Sequence, residues 1–136
     1  MPSLPFGKGG ADMAEDMRET IANAAKTLLF DKKVRKLTVK DIVEECHITR
    51  QTFYYHFEDI PDMFRWMIEA FTNTIFRETL SKGTPEDGLR CFFVMAIDAL
   101  PYAKRGMDSN YAAELERISR SYIQQFFEAV AESRSY

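Results

Sequence analysis

The 136-residue sequence predicts an all-α protein, with three helices in the N-terminal part, the second and third of them short, followed by a longer helical region. Three observations predict it. Apolar residues recur at spacings of three and four along most of the chain, no segment alternates apolar and polar residues as a strand would, and capping or breaking residues stand where one periodic run yields to the next. No internal repeat or low-complexity tract interrupts this pattern.

Met17, Ile21, Ala24 and Leu28 form the buried stripe of a first helix running from about residue 11 to residue 30. Thr38, with Asp41 three residues on, resembles a capping box, and Val39, Ile42, Val43 and Cys46 then supply the inner face of a short second helix. Thr49 caps a third, in which Phe53 and Phe57, one turn apart, face inward with Ile48. Arg50, Gln51, Thr52, Tyr54, Tyr55 and His56 are left outside. Pro61 suits the first turn of a fourth helix carrying Phe64, Ile68, Phe71 and Ile75, with Lys82 and Gly83 as its stop. After Thr84 and Pro85, a fifth helix places Leu89, Phe92, Phe93, Ala96, Ile97 and Leu100 on one face, and Pro101 is expected to end or kink it. Tyr111, Leu115, Ile118, Tyr122, Phe126 and Val130 mark a sixth, with fraying expected over residues 132–136.

Bulk composition narrows the function. A hydrophobic content of 46% suffices for a real core, and no apolar run approaches the ~20 residues that a bilayer crossing needs. Residues 1–10 lack the pattern of a secretory signal and are expected to form a flexible leader. Cys46 and Cys91 fall on separate helices, which favours reduced thiols and a cytoplasmic location. The net charge of −3 opposes binding to nucleic acid if taken globally. Locally it does not. Lys32, Lys33, Arg35, Lys36 and Lys40 place five cations in nine residues without an acid, directly before the two short helices, whereas eleven acids outnumber nine bases from residue 61 onward. Charge runs most often end as solvated loops, but this one adjoins an exposed face of Arg, Gln, Thr, Tyr and His, the chemistry that a DNA groove accepts.

Residues 38–57, followed by Met63 and Phe64, resemble the helix-turn-helix of the TetR/AcrR family of bacterial transcriptional regulators. The resemblance extends over roughly residues 17–68 and is strongest over residues 48–57, which are similar to that family's recognition helix from turn to closing Phe. It implies that the third helix enters the major groove, that the second supports it, and that a long fourth helix leads to a ligand-binding and dimerising region. The implied division is a leader at 1–10, a helix-turn-helix DNA-binding domain at 11–58 and a helical effector-binding and dimerisation region at 59–136. The chain departs from the family pattern at two positions. His47 stands where the turn usually has Gly, so mild strain is expected there. Ile60 stands where a Lys commonly touches phosphate, which implies that one backbone contact is missing. The remainder is shorter than the family's usual ligand region, as in a short or truncated member.

Arg50 is the leading base reader, since a guanidinium in the first turn can donate two hydrogen bonds to guanine O6 and N7. Gln51 can pair with adenine, and Thr52 offers a hydroxyl and a methyl for thymine. Thr38 and Lys40 can meet phosphate at the start of the second helix, although Thr38 would serve as a cap without any DNA. By resemblance, Thr49, Tyr54, Tyr55 and His56 complete the contact surface, with phenol and imidazole groups donating to phosphates or base edges. The blander alternatives are that Tyr54 packs on the first helix and that His56 hydrogen-bonds within the fold. The aromatic and methionine residues of the second half could line an effector cavity, but residues at helical spacing are core first, so no ligand residue is assigned.

No nucleophile-base grouping, phosphate-cradling glycine loop or paired Cys/His spacing is visible, so neither an enzyme nor a metal or other cofactor is expected. The reading is a regulator, by family default a repressor, that binds double-stranded DNA as a homodimer at a near-palindromic operator, with a small-molecule effector as a further partner and no membrane association. The rivals are a protein-interaction co-regulator that keeps the helix-turn-helix shape without operator binding, and a small-molecule sensor working without DNA.

Overall fold

The computed structural model describes residues 13–133, which form six helices in the order α1 (Met13–Phe30), α2 (Val39–Cys46), α3 (Arg50–His56), α4 (Ile60–Leu80), α5 (Pro85–Met107) and α6 (Ala112–Ser133). The expected leader at 1–10, the start of the first helix at residue 11 and the last three residues of the expected fraying lie outside the described residues.

The caps follow one chemistry. Thr38, Thr49 and Thr84 each accept, through Oγ1, the backbone N–H three residues on, from Asp41, Thr52 and Asp87 respectively, all at 3.1 Å. Asp59 does the same for α4, its Oδ1 accepting from the Asp62 N–H at 2.8 Å, while the Asp62 carboxylate accepts from the Glu58 N–H at 2.9 Å. Each such cap satisfies an amide that the helix leaves orphaned, typically contributing ~1 kcal/mol.

One buried cluster joins the first half to the last helix. Ile21, Ala25 and Leu28 of α1, Leu37 of the following loop, Ile42 of α2, Phe53 of α3, Phe57 after it, Ile60 and Met63 of α4 and Ile118 of α6 all belong to it. Phe53, Ile42 and Ile21 are wholly inaccessible to solvent, as their spacing predicts. Ile60 is 2% exposed, so the position where the resemblance leads one to expect a Lys lies within the core.

Two expectations for α5 require correction. Pro101 does not end the helix, which continues to Met107. The missing N–H and the ring clash are tolerated because the turns beyond are anchored: the Tyr102 ring lies 4.2 Å from that of Phe30 on α1, and Gly106 abuts Leu115 of α6. The six apolar residues expected on one face also divide. Phe92 and Ala96 line the interior, whereas Leu89, Phe93, Ile97 and Leu100 remain 54–62% exposed. No described helix is long and apolar enough to cross a membrane.

Candidate nucleic-acid interface

The turn between α2 and α3 sets the direction of the outward face. His47 adopts the left-handed conformation, φ 59° and ψ 44°, and its N–H donates to the Val43 carbonyl. The Ile48 N–H reaches the same carbonyl at 3.0 Å, so the chain closes α2 with a Schellman-type turn that Gly normally provides. Histidine achieves this at a cost, because its Cβ crowds the backbone at positive φ. Lys33 also has positive φ, at 54°, in the loop after α1.

Beyond that turn, α3 buries one side and presents the other. Phe53 is inaccessible and Phe57 2% exposed, whereas Arg50, Gln51 and Thr49 are exposed and Tyr55, at 82%, is the most exposed aromatic side chain of this helix. Tyr54 is exposed too, its ring meeting Phe53 edge-on at 5.3 Å, so it does not withdraw into the packing against α1. Thr52 is half-buried, and its hydroxyl lies 3.0 Å from that of Thr49. His56 is half-buried with the Tyr55 ring against it edge-on. Burial, followed by the nearby Arg18 guanidinium, holds its imidazole below the ordinary pKa, so at neutral pH it is an uncharged donor.

At the start of α2, Lys40 is exposed, while Thr38 is half-buried with its oxygen already accepting from the Asp41 N–H. The hydroxyl proton of Thr38 is still free to donate outward, so the capping and phosphate roles are compatible. The basic run is partly spent on the fold. Lys32 pairs with Glu45 of α2 at 2.6 Å, whereas Lys33, Arg35, Lys36 and Lys40 are exposed.

Two contributors escaped the sequence reading. Arg18 of α1 adds a cation beside His56, and Asn110, in the turn between α5 and α6, grips the loop in front of α2. The Asn110 Oδ1 accepts from the Leu37 N–H at 2.8 Å, its Nδ2 donates to the Leu37 carbonyl at 3.3 Å, and its own N–H donates to the Arg35 carbonyl at 2.9 Å. That clasp resembles a short piece of sheet pairing and ties the second half of the molecule to the DNA-facing half. Only a polar residue marking a turn between two helical runs hinted at it.

Residues 21–66 match the family model described as bacterial regulatory proteins, tetR family. This segment is similar to the DNA-binding domain of that family. The match spans the packed part of α1, both short helices and the first turns of α4, including every proposed DNA-contacting residue. The match supports a DNA-binding domain of the TetR type over these residues, in which α3 (Arg50–His56) is the second of the two short helices. Neither the curated proteins nor the solved structures yielded a significant match. Members of the TetR family are generally DNA-binding proteins without catalytic activity. Among the described residues no group of three or more His, Cys, Asp or Glu side chains is disposed to hold a metal ion.

Behind the TetR-type domain, α1, α4, α5 and α6 enclose a partly open apolar slot of about 460 Å³. Phe64, Phe71 and Phe126 are among its walls. The aromatic residues that sequence reasoning left unassigned therefore divide between this slot, the core and the exposed band on α5.

Proposed function

We propose that the protein is a repressor that binds a near-palindromic operator as a homodimer and is released by a small-molecule effector. The observation that carries the reading is the face of α3, where Arg50, Gln51, Tyr54 and Tyr55 stand exposed over a fully buried Phe53. In this reading Arg50 and Gln51 read base edges, and Thr52 adds a methyl contact. Thr38, Lys40, Thr49, Tyr54, Tyr55 and His56 fix the register on the backbone.

Dimerisation is supported by the exposed Leu89, Phe93, Ile97 and Leu100 on α5 and by Ile123 and Phe127 on α6, an apolar surface of the kind that marks an interface. An effector in the slot would act on both halves at once, because the slot contacts α1 and α4 as well as α5 and α6. A ligand that fits one arrangement of these helices better than another shifts the population of recognition-helix spacings. The protein is assigned to the cytoplasm, with residues 11–58 contacting DNA and residues 59–136 sensing the effector and dimerising.

Fluorescence anisotropy with random-sequence duplex DNA tests this reading. It predicts binding at low salt that weakens steeply as salt rises, because cationic contacts release counterions. The buried Ile60 favours the rival co-regulator, since that position cannot supply a phosphate contact. Absence of binding even at low salt would overturn this reading in favour of a rival that works without DNA.

A further inference from the structure

The basic run before α2 extends beyond the proposed contacts at Thr38 and Lys40, and its backbone is pinned along its length. Lys33, at φ 54°, reverses the chain after α1, and the Val34 N–H donates to the Leu28 carbonyl at 3.0 Å. Val34 packs against the core and Leu37 is buried within it. The Arg35 carbonyl accepts from the Asn110 N–H, and both backbone groups of Leu37 bond to the Asn110 side-chain amide. Residues 34–37 are therefore fixed at both ends, although they belong to no helix. Between the inward residues at 34 and 37, Arg35 and Lys36 are exposed.

A loop whose charges are merely solvated needs no such anchoring. Neither Arg35 nor Lys36 forms an ion pair among the described residues, and Glu45 of α2 is already paired with Lys32. Lys36 lies two residues before Thr38, so their Cα atoms stand within about 7 Å of each other. The residue that holds the loop is itself presented by a braced turn. Ser109, buried, donates its hydroxyl to the Gly106 carbonyl at 2.6 Å and accepts from the Tyr111 N–H at 3.2 Å, and the Tyr111 ring meets that of Phe64 on α4 at 5.8 Å. Asn110 thus reaches Leu37 from the second half of the molecule, 73 positions away.

Resting on the regulator reading above, we infer that residues 34–37 form a second DNA-backbone site, at which Arg35 and Lys36 meet phosphates beside those contacted at the start of α2, with Asn110 as the positioning residue that holds the loop in its binding shape. The two cations carry no base specificity and add affinity by releasing counterions. They supply phosphate contacts that the buried Ile60 does not. A backbone fixed before DNA arrives spares the complex the entropy of ordering it.

Anisotropy of the full chain with random-sequence duplex DNA across a salt series tests the inference. Arg35→Gln combined with Lys36→Gln is expected to make log K against log salt shallower by about 1.8 for each chain bound, because each lost phosphate contact removes about 0.9. Arg77→Gln makes the same kind of charge change 17 positions beyond Ile60, about 26 Å along α4, and is expected to leave the slope unchanged. Asn110→Ala is expected to lose at least half as much slope as the loop double variant, and to lose nothing further when combined with it. Amide exchange at Leu37 should quicken in Asn110→Ala while that at Phe53 stays slow, a split that general destabilisation does not produce. A slope unchanged by the loop double variant, or reduced equally by Arg77→Gln, would overturn the phosphate site. A wild-type slope in Asn110→Ala, additive losses, equal quickening at Leu37 and Phe53, or failure of Asn110→Ala to fold would overturn the positioning role. The loop double variant changes only exposed side chains and so decides the phosphate site independently of Asn110. Wild-type binding with unchanged variant slopes rejects this site alone, and absence of wild-type binding at low salt rejects the regulator reading as well.

Discussion

Arg50, exposed in the first turn of α3 and without an ion pair among the described residues, is the residue on which base recognition turns in the proposed reading. Arg50→Ala is expected to cost about 1 to 3 kcal/mol on cognate DNA and to flatten base preference at one position of each half-site, measurable by anisotropy across a panel of single-base variants. His56 sets a pH dependence. Its depressed pKa means that the neutral form contributes stability that is fully present above the ordinary histidine range and is lost as pH falls through the folded value. Protonation also adds a cation beside DNA. Affinity should therefore rise as pH is lowered through and below the ordinary histidine range, and His56→Gln should abolish that rise in anisotropy titrations. Asn110 makes a different kind of contribution. Asn110→Ala leaves the amide of the buried Leu37 without its acceptor and should lower stability by about 1 to 3 kcal/mol in urea unfolding. The exposure of Arg50 was legible in the sequence because Ile48, Phe53 and Phe57 take the inward side, but the contacts of Asn110 were not. Its partner lies 73 positions away, and local periodicity carries no information at that range.

The helices themselves were largely legible, because each announces its ends by caps and its inner side by spacing. Thr38, Thr49 and Thr84 cap as a local rule requires, and Phe53 with Phe57 turn inward. The α2–α3 turn was legible even in its strain. The glycine that the resemblance leads one to expect at that position implies positive φ, and His47 has it. His47→Gly should relieve the crowding and raise the unfolding midpoint by an amount corresponding to about 1 kcal/mol, or less where the added freedom of the unfolded chain offsets the gain. Where local rules failed, long-range packing prevailed. Proline at 101 predicts an end or a kink; the end is excluded, since anchoring of the Tyr102 and Gly106 turns on neighbouring helices carries α5 on to Met107. The crossing of α4 and α5 depends on Gly88, where an added Cβ would stand 3.0 Å from the Thr79 carbonyl oxygen. Gly88→Val should push the two helices apart and destabilise the fold by about 1 to 3 kcal/mol, seen as an earlier urea transition.

For the molecule as a whole, charge and apolar surface divide along the chain. The cations gather before α2, with Arg50 alone on α3, while unburied apolar side chains gather on α5 and α6. The sequence foretold the first half of this division through its basic run. It did not foretell the second, because helical spacing reveals an apolar face without revealing whether the neighbour that covers it lies in the same chain. The regulator reading joins the two: a basic, hydrogen-bonding face for DNA at one end, an apolar surface for a second copy at the other, and a slot between them. Its central claim is that the exposed face of α3 reads sequence, and selection of binding sites from a random duplex pool tests it most directly. The wild-type chain should enrich an inverted repeat, and Arg50→Ala should enrich the same repeat with one symmetric position in each half no longer specified. A pool that enriches no motif with the wild-type chain, or an identical motif with both chains, would contradict the account.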